Sequence, residues 1–462
     1  MILKYFSDQI NFLKKLTRVE WIFFLLSTFM CWGYIQFDVR EVRFAKIGIP
    51  LHFSQNTSAD ALNTKYLYIT EIYLFLISLL LIFSKNKLPG FKKFLSNKRS
   101  LLLWLVFIFL FYGLFRAAFD IKAALMLVLR NSCFVWYLFL PLFVFFLPLR
   151  KEALTLIFTL IQAYAFVIFT IALLLEIPKE AAHIFWIPCL GLMGPLAFAL
   201  LTKTRLPALL ILTPIAVALA GSYRQGIQRT VLLGLILTWI FLFVSRKKER
   251  VRLLKRTAFL FLFFLFSLKI IFPFSEQKEL YSFQYLSKNS LIKSEADASG
   301  LEYFRKQMWL DAAEIFVKNP LIGIGFQKQV VYRIYHNTVD GVMSFYVNDG
   351  RLGTDDLPNQ RPPISGPHNS YLNAFARMGI LGGLILLIHG LSLLALWRAQ
   401  SWAGFYLLAG QMLYAAFNVG LEGPSRSFFS LLCIGLALKL TFETYSRNSS
   451  AQNIAENLPN SQ

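Results

Sequence analysis

Charge is scarce in this chain of 462 residues, with Asp, Glu, Lys and Arg making up 16% of it. A soluble domain usually carries about 25%. Acid is the scarcer sign: 25 Asp and Glu stand against 47 Lys and Arg, a formal net charge of +22. The four cysteines, Cys31, Cys133, Cys189 and Cys433, include no CxxC pair and have no histidine at metal-ligand spacing. A disulfide-stapled fold is therefore excluded, and the cysteines read as small buried hydrophobes. No HExxH, GxSxG or Walker loop occurs, which leaves zinc-hydrolase, serine-hydrolase and P-loop readings without a motif. Asp355-Asp356 is an isolated acidic pair in a polar loop, and neither a metal nor another cofactor is assigned. Nor does a small-residue cleavage site follow the first apolar block, which reads as a retained membrane anchor.

What the chain has in abundance is apolar surface: 56% of residues are hydrophobic and 16% aromatic, with 47 Phe, and mean hydropathy is +0.55. These residues come in blocks such as Leu101 to Phe119 and Ala258 to Phe274. A helix needs about 20 such residues to cross about 30 Å of hydrocarbon. Candidate spans lie near 21–37, 66–84, 101–119, 131–149, 153–175, 184–202, 206–221, 231–245, 258–274, 375–397, 402–419 and 428–442. The expected fold is an all-α polytopic membrane bundle of about 12 transmembrane helices. It divides into N-terminal helices over 1–274, a large outer loop over 275–374, C-terminal helices over 375–445 and a disordered tail over 446–462.

Direction follows from the basic residues, which resist translocation. With a cytoplasmic N-terminus, the inside stretches are 1–20, 85–100, 150–152, 203–205, 246–257, 398–401 and the tail from 443. They hold 23 basic and six acidic residues. The densest cluster is Arg246, Lys247, Lys248, Arg250, Arg252, Lys255 and Arg256. The outer loop between the ninth and tenth spans holds ten basic and eleven acidic residues and is near neutral. The positive balance is thus a topology signal and gives no support for nucleic-acid binding.

A connector of about 100 residues is usually functional. Within it, Leu301, Phe304, Met308, Ala312, Ile315 and Phe316 recur at helical spacing, predicting an amphipathic helix over 300–318 that ends at Asn319-Pro320. Thr338 to Pro367 is rich in Gly, Asp, Asn and Pro and reads as loop. Three outward motifs stand out. Gly221-Ser-Tyr-Arg-Gln-Gly-Ile-Gln-Arg229 sets two arginines and two glycines at a membrane boundary. Arginine forks match phosphate oxygens and glycines allow close backbone approach; the same arginines also suit snorkelling anchors of helix ends. Arg305-Lys-Gln-Met-Trp309 lies on the amphipathic helix and precedes Asn319-Pro-Leu-Ile-Gly-Ile-Gly-Phe326, which reads as a tight turn back to the membrane surface. Gly366-Pro-His-Asn-Ser-Tyr-Leu372 carries His368, whose neutral imidazole could take a proton from a sugar hydroxyl. His52, His183, His336 and His389 lack such a context. Glu422 and Arg426, after the eleventh span, either join the site or pair with each other.

Taken in order, the Gly-Ser-x-Arg-x-Gly stretch at 221–226, Arg-x-x-x-Trp at 305–309, Asn-Pro-Leu-Ile-Gly-Ile-Gly at 319–325 and Pro-His-Asn-Ser-Tyr-Leu at 367–372, followed by Gly379 and Gly382, resemble the O-antigen ligase/O-antigen polymerase family of bacterial inner-membrane proteins. The resemblance covers roughly residues 200–445. Gln225 departs from it, since the family more often has Gly directly after Arg. The resemblance implies a metal-independent glycosyltransferase that takes a glycan from an undecaprenyl-diphosphate carrier and places it on an acceptor at the periplasmic face. Carried onto this chain, Arg224 and Arg305 would grip the diphosphate and His368 would activate the acceptor hydroxyl, with Arg229 and Asn369 as further substrate-binding residues. The expected partners are that donor, a lipid A core or growing glycan acceptor, and the bilayer, with no nucleic acid. The expected location is the inner membrane, multi-pass, with both termini cytoplasmic. Ligation to lipid A core is the first reading; a polymerase or a protein-glycosylating relative is the alternative within the family. A transporter or flippase is the alternative from another class, although such a protein would show charges at mid-depth and repeated halves.

Overall fold

A computed structural model describes residues 13–35, 69–84, 101–120, 128–129, 131–174, 187–224, 229–271, 301–326, 333–337, 343–347, 369–417, 421 and 428–441. Each of the twelve apolar blocks is helical over most of its length. The helices are α1 (Arg18–Ile35), α2 (Ile69–Phe83), α3 (Leu101–Asp120), α4 (Cys133–Trp136), α5 (Phe139–Phe146), α6 (Lys151–Leu174), α7 (Ile187–Leu201), α8 (Arg205–Arg224), α9 (Arg229–Ser245), α10 (Arg250–Ile271), α11 (Leu301–Lys318), α12 (Ser370–Met378), α13 (Leu384–Arg398), α14 (Trp402–Phe417) and α15 (Phe428–Thr441). Among the described residues, two helical stretches, Leu101–Asp120 and Ser370–Arg398, are long and apolar enough to cross a membrane. Further apolar helical stretches, Glu71–Phe83, Cys133–Phe146, Leu192–Leu201, Arg205–Val217, Leu233–Ser245 and Phe428–Thr441, are shorter.

α3 shows why these blocks fold as they do. Leu102, Leu103, Val106, Phe109, Leu110, Gly113 and Ala117 recur at three- and four-residue steps and are buried. The opposite face carries Trp104, Ile108, Phe111, Phe115 and Phe119, all exposed. A helix apolar on both faces, buried on one, suits a bundle with hydrocarbon outside it. One continuous apolar core joins the helices, from Phe23 and Tyr73 through Phe109 and Phe158 to Phe428 and Cys433. Cys133 and Cys433 are both buried within it.

Several stretches assigned to the inside meet one another, while 85–100 and the tail from 443 lie outside the described residues. Glu20 binds Arg150, whose Nη2 also donates to the Lys15 carbonyl. Arg252 donates to the Leu201 carbonyl and Arg256 to that of Thr204. Arg246 stacks over Trp402, and Lys439 caps the carbonyls of Leu147 and Leu149. The described basic stretches therefore lie at one end of the bundle.

Three differences from expectation have local causes. The 131–149 block is broken at Tyr137-Leu138 between α4 and α5. The tenth block, read as starting at 375, begins at Ser370: its first turn carries Ser370 and Asn373, which hide it from a hydropathy reading. Within the outer loop, Arg333–Asn337 (β1) and Met343–Val347 (β2) pair as an antiparallel hairpin with Tyr335 opposite Phe345. A small β element therefore adds to the otherwise helical fold, and β2 lies in a stretch read as loop.

Candidate functional site

The five sequence-predicted residues fall at element ends or beyond the described residues. Arg224 is the last residue of α8 and Arg229 the first of α9. Arg305 is the fifth residue of α11. His368, with Glu422 and Arg426, lies outside the described residues. Asn369 has a role of its own. Its backbone is extended, and its Oδ1 accepts the N–H groups of Tyr371 at 3.1 Å and Leu372 at 3.0 Å. It is the N-cap of α12, next to His368 in the sequence, and fixes where the helix begins, at Ser370.

Packing brings these ends together. α9 runs antiparallel to α14, with Phe241 stacked on Phe405 at 5.2 Å and Gly234 against Leu413. The same pairing carries Arg229 to the level of Phe417. Trp309, one turn beyond Arg305, lies against Phe417 at 5.9 Å. α11 in turn packs on α12 through Ala312 and Ile315 against Ala376, and through Phe316 against Phe375 at 5.1 Å. The start of α12 is tied to Leu421, four residues past the end of α14, by Ser370, whose Oγ accepts the Leu421 N–H at 3.0 Å. Both arginine motifs and the residue after His368 thus sit at the end of the bundle away from the basic stretches.

The glycine motifs explain how that end is held. Residues 319–326 fold back as a turn on the last turn of α12. The Ile324 N–H donates to the Ala376 carbonyl at 2.9 Å, Gly325 N–H to that of Arg377 at 3.0 Å, and Ile380 N–H to that of Pro320 at 2.7 Å. Gly323 and Gly379 both have φ of +63°, and a Cβ on either would lie 2.3–2.4 Å from backbone atoms of the other strap. Only glycine fits there. Gly382 is equally tight, with a Cβ 2.1 Å from the Ala374 carbonyl oxygen.

Side chains that the sequence analysis did not single out lock this clasp. Arg377 is 2% exposed; its Nε donates to Asn373 Oδ1 at 3.0 Å and its Nη1 to the Gly325 carbonyl at 3.2 Å. Asp120 is 3% exposed and paired with Arg116 at 3.0 Å. Its Oδ2 accepts the Phe326 N–H at 2.7 Å, while Asn131 Nδ2 donates to the Phe326 carbonyl at 2.8 Å. The i, i+4 spacing of Arg116 and Asp120 was the available signal. Two buried donors on the α11–α12 unit, Trp309 Nε1 and the Tyr371 hydroxyl, have no hydrogen-bond partner among the described residues. Tyr371 meets the fully buried His389 edge-on at 5.8 Å.

This end of the bundle therefore brings together the helix stretches that carry Arg224, Arg229 and Arg305 and the Asn369 cap. A comparison with curated proteins found no match for the chain. Residues 190–387, a stretch holding both arginine motifs, the clasp and the Pro-His-Asn motif, match the family model described as O-antigen ligase, so the family that the motifs resemble is the O-antigen ligase family.

Proposed function

We propose that this chain transfers a glycan from an undecaprenyl-diphosphate carrier to an acceptor sugar at the periplasmic face, as an O-antigen ligase acting on lipid A core. The observation that carries the reading is the family match over residues 190–387, which spans Arg224, Arg229, Arg305, His368 and Asn369. Convergence of their helices on one end of the bundle, opposite the basic stretches, supports it. The family is membrane-integral, and the proposed topology has about twelve spans with both termini cytoplasmic.

In the proposed step the acceptor hydroxyl oxygen attacks the anomeric carbon of the donor. The bond from that carbon to the diphosphate oxygen breaks, and the hydroxyl proton passes to His368. Arg224 and Arg305 stabilise the charge growing on the departing undecaprenyl diphosphate, and Arg229 holds it in the ground state. The N-terminal N–H groups of α9 reinforce Arg229, because a helix start favours an anion. A single displacement inverts the anomeric centre.

The test is transfer by purified protein in detergent, with a lipid-diphosphate-linked glycan as donor and lipid A core as acceptor. Product in the wild type supports the reading, as does a fall in kcat of about 10²–10³ in folded R224A and R305A chains. H368A should lose about 10²–10⁴. A wild type that elongates carrier-linked glycan but leaves lipid A core untouched would make the chain a polymerase. One that moves intact donor across a vesicle membrane without transfer would make it a flippase.

A further inference from the structure

We propose that Asp120 is a positioning residue of the transfer site, acting through the clasp on Arg305. The inference deepens the glycan-transfer reading and rests on it. A carboxylate buried at the end of an apolar helix is costly unless it is paired and hydrogen-bonded, and here both oxygens are taken by the protein. Oδ1 accepts from Arg116 Nη1 at 3.0 Å and Oδ2 from the Phe326 N–H at 2.7 Å. Asp120 therefore holds the chain that leaves α11 and is not itself a substrate ligand.

The fit around it is close. Gly325 has φ of +83°, and a Cβ there would lie 2.3 Å from Asp120 Oδ2 and 2.4 Å from Arg116 Nη2. The turn approaches the ion pair as nearly as backbone can. Asn131 holds the same residue through the Phe326 carbonyl, in the following peptide unit.

Geometry turns this anchor into a control on the site. Arg305 lies 13 residues before Lys318, the last residue of α11, about 20 Å along a helix. A tilt of about 5° at the anchored end would move Arg305 by nearly 2 Å, enough to spoil an aligned transition state. The contacts along α11 through Ala312, Ile315 and Phe316 are apolar and non-directional. The hydrogen bonds of the turn are what set the helix's register on α12. Asp120 joins that turn to α3, a helix that contributes no predicted site residue.

A double-mutant cycle on the full-length protein tests this, using D120A, R305K and the double variant, with turnover corrected for folded fraction by thermal melting. If Asp120 acts through Arg305, D120A should lower kcat/KM at least tenfold in the wild type but less than twofold in the R305K background. A role confined to stability would reduce activity by the same factor in both backgrounds, and that result would overturn the proposal. Should D120A fail to fold, G325A perturbs the same contact from the turn's side and enters the same cycle with the same expectations. An inactive wild type, or an R305K chain with full activity, overturns the underlying reading as well. A wild type and D120A of equal activity overturn this inference alone.

Discussion

Glu20 is 1% exposed, yet it is held ionised. Burial alone would raise its carboxyl. The Arg150 side chain, at 2.7 and 2.8 Å, and the backbone N–H groups of Thr17 and Arg150 outweigh that and bring it from 4.5 to about 2. A folded-state value below the unfolded one stabilises at neutral pH, and the stabilisation fades as pH falls from about 4.5 through about 2. E20Q should therefore cost about 2–3 kcal/mol at pH 7 and almost nothing near pH 2. Melting temperatures of the two proteins in detergent across that range should converge as pH falls. Asn369 poses a different question, because it was read as a substrate ligand and its oxygen is a helix cap. N369A should lose about 1 kcal/mol of stability. N369D keeps an N-cap oxygen and should melt like the wild type; if it nonetheless loses transfer, the amide also serves the substrate. Neither contact was legible beforehand. Arg150 lies 130 positions from Glu20, and a side chain named in a motif does not declare which of its atoms the fold has already used.

Among the elements, the clasp between residues 319–326 and the end of α12 decides most. Its glycines were visible as motifs, but the reason for them was not. Gly323 and Gly379 face each other across two straps more than 50 residues apart, each at φ of +63°. G323A or G379A should cost about 3 kcal/mol, since a Cβ adds left-handed strain to a collision with backbone that cannot rotate away. Gly390 in α13 is the control: nothing lies within 4 Å of its missing Cβ. G390A should be neutral or stabilising by up to about 1 kcal/mol in the same unfolding assay. The β1–β2 hairpin had a readable signal that was passed over. Asp340-Gly341 separates two runs rich in aromatic and β-branched residues, the pattern of a hairpin turn. The start of α12 had none in its hydropathy, because a helix begins where a cap satisfies its free N–H groups and need not be apolar there.

For the molecule as a whole, the proposed topology predicts where reporters will work. Alkaline phosphatase fused near residue 290 should be active and a fusion near residue 450 inactive, with the reverse for a cytoplasmic fluorescent reporter. The opposite pattern would invert the bundle and move the candidate site to the cytoplasm. Twelve apolar blocks, their basic flanks and the order of four motifs were set by local composition. Hydrocarbon selects length and hydropathy segment by segment, and charge acts on each connection as it is made. The helices at the blocks and the contacts among the described basic stretches follow from that. What only the tertiary structure decided is which distant groups meet: Asp120 with Phe326, Arg377 with Gly325, Trp309 with Phe417, Glu20 with Arg150. Such pairings depend on helix rotation and depth, which a uniformly apolar sequence leaves almost free, so polar groups at helix ends settle them once the bundle has packed.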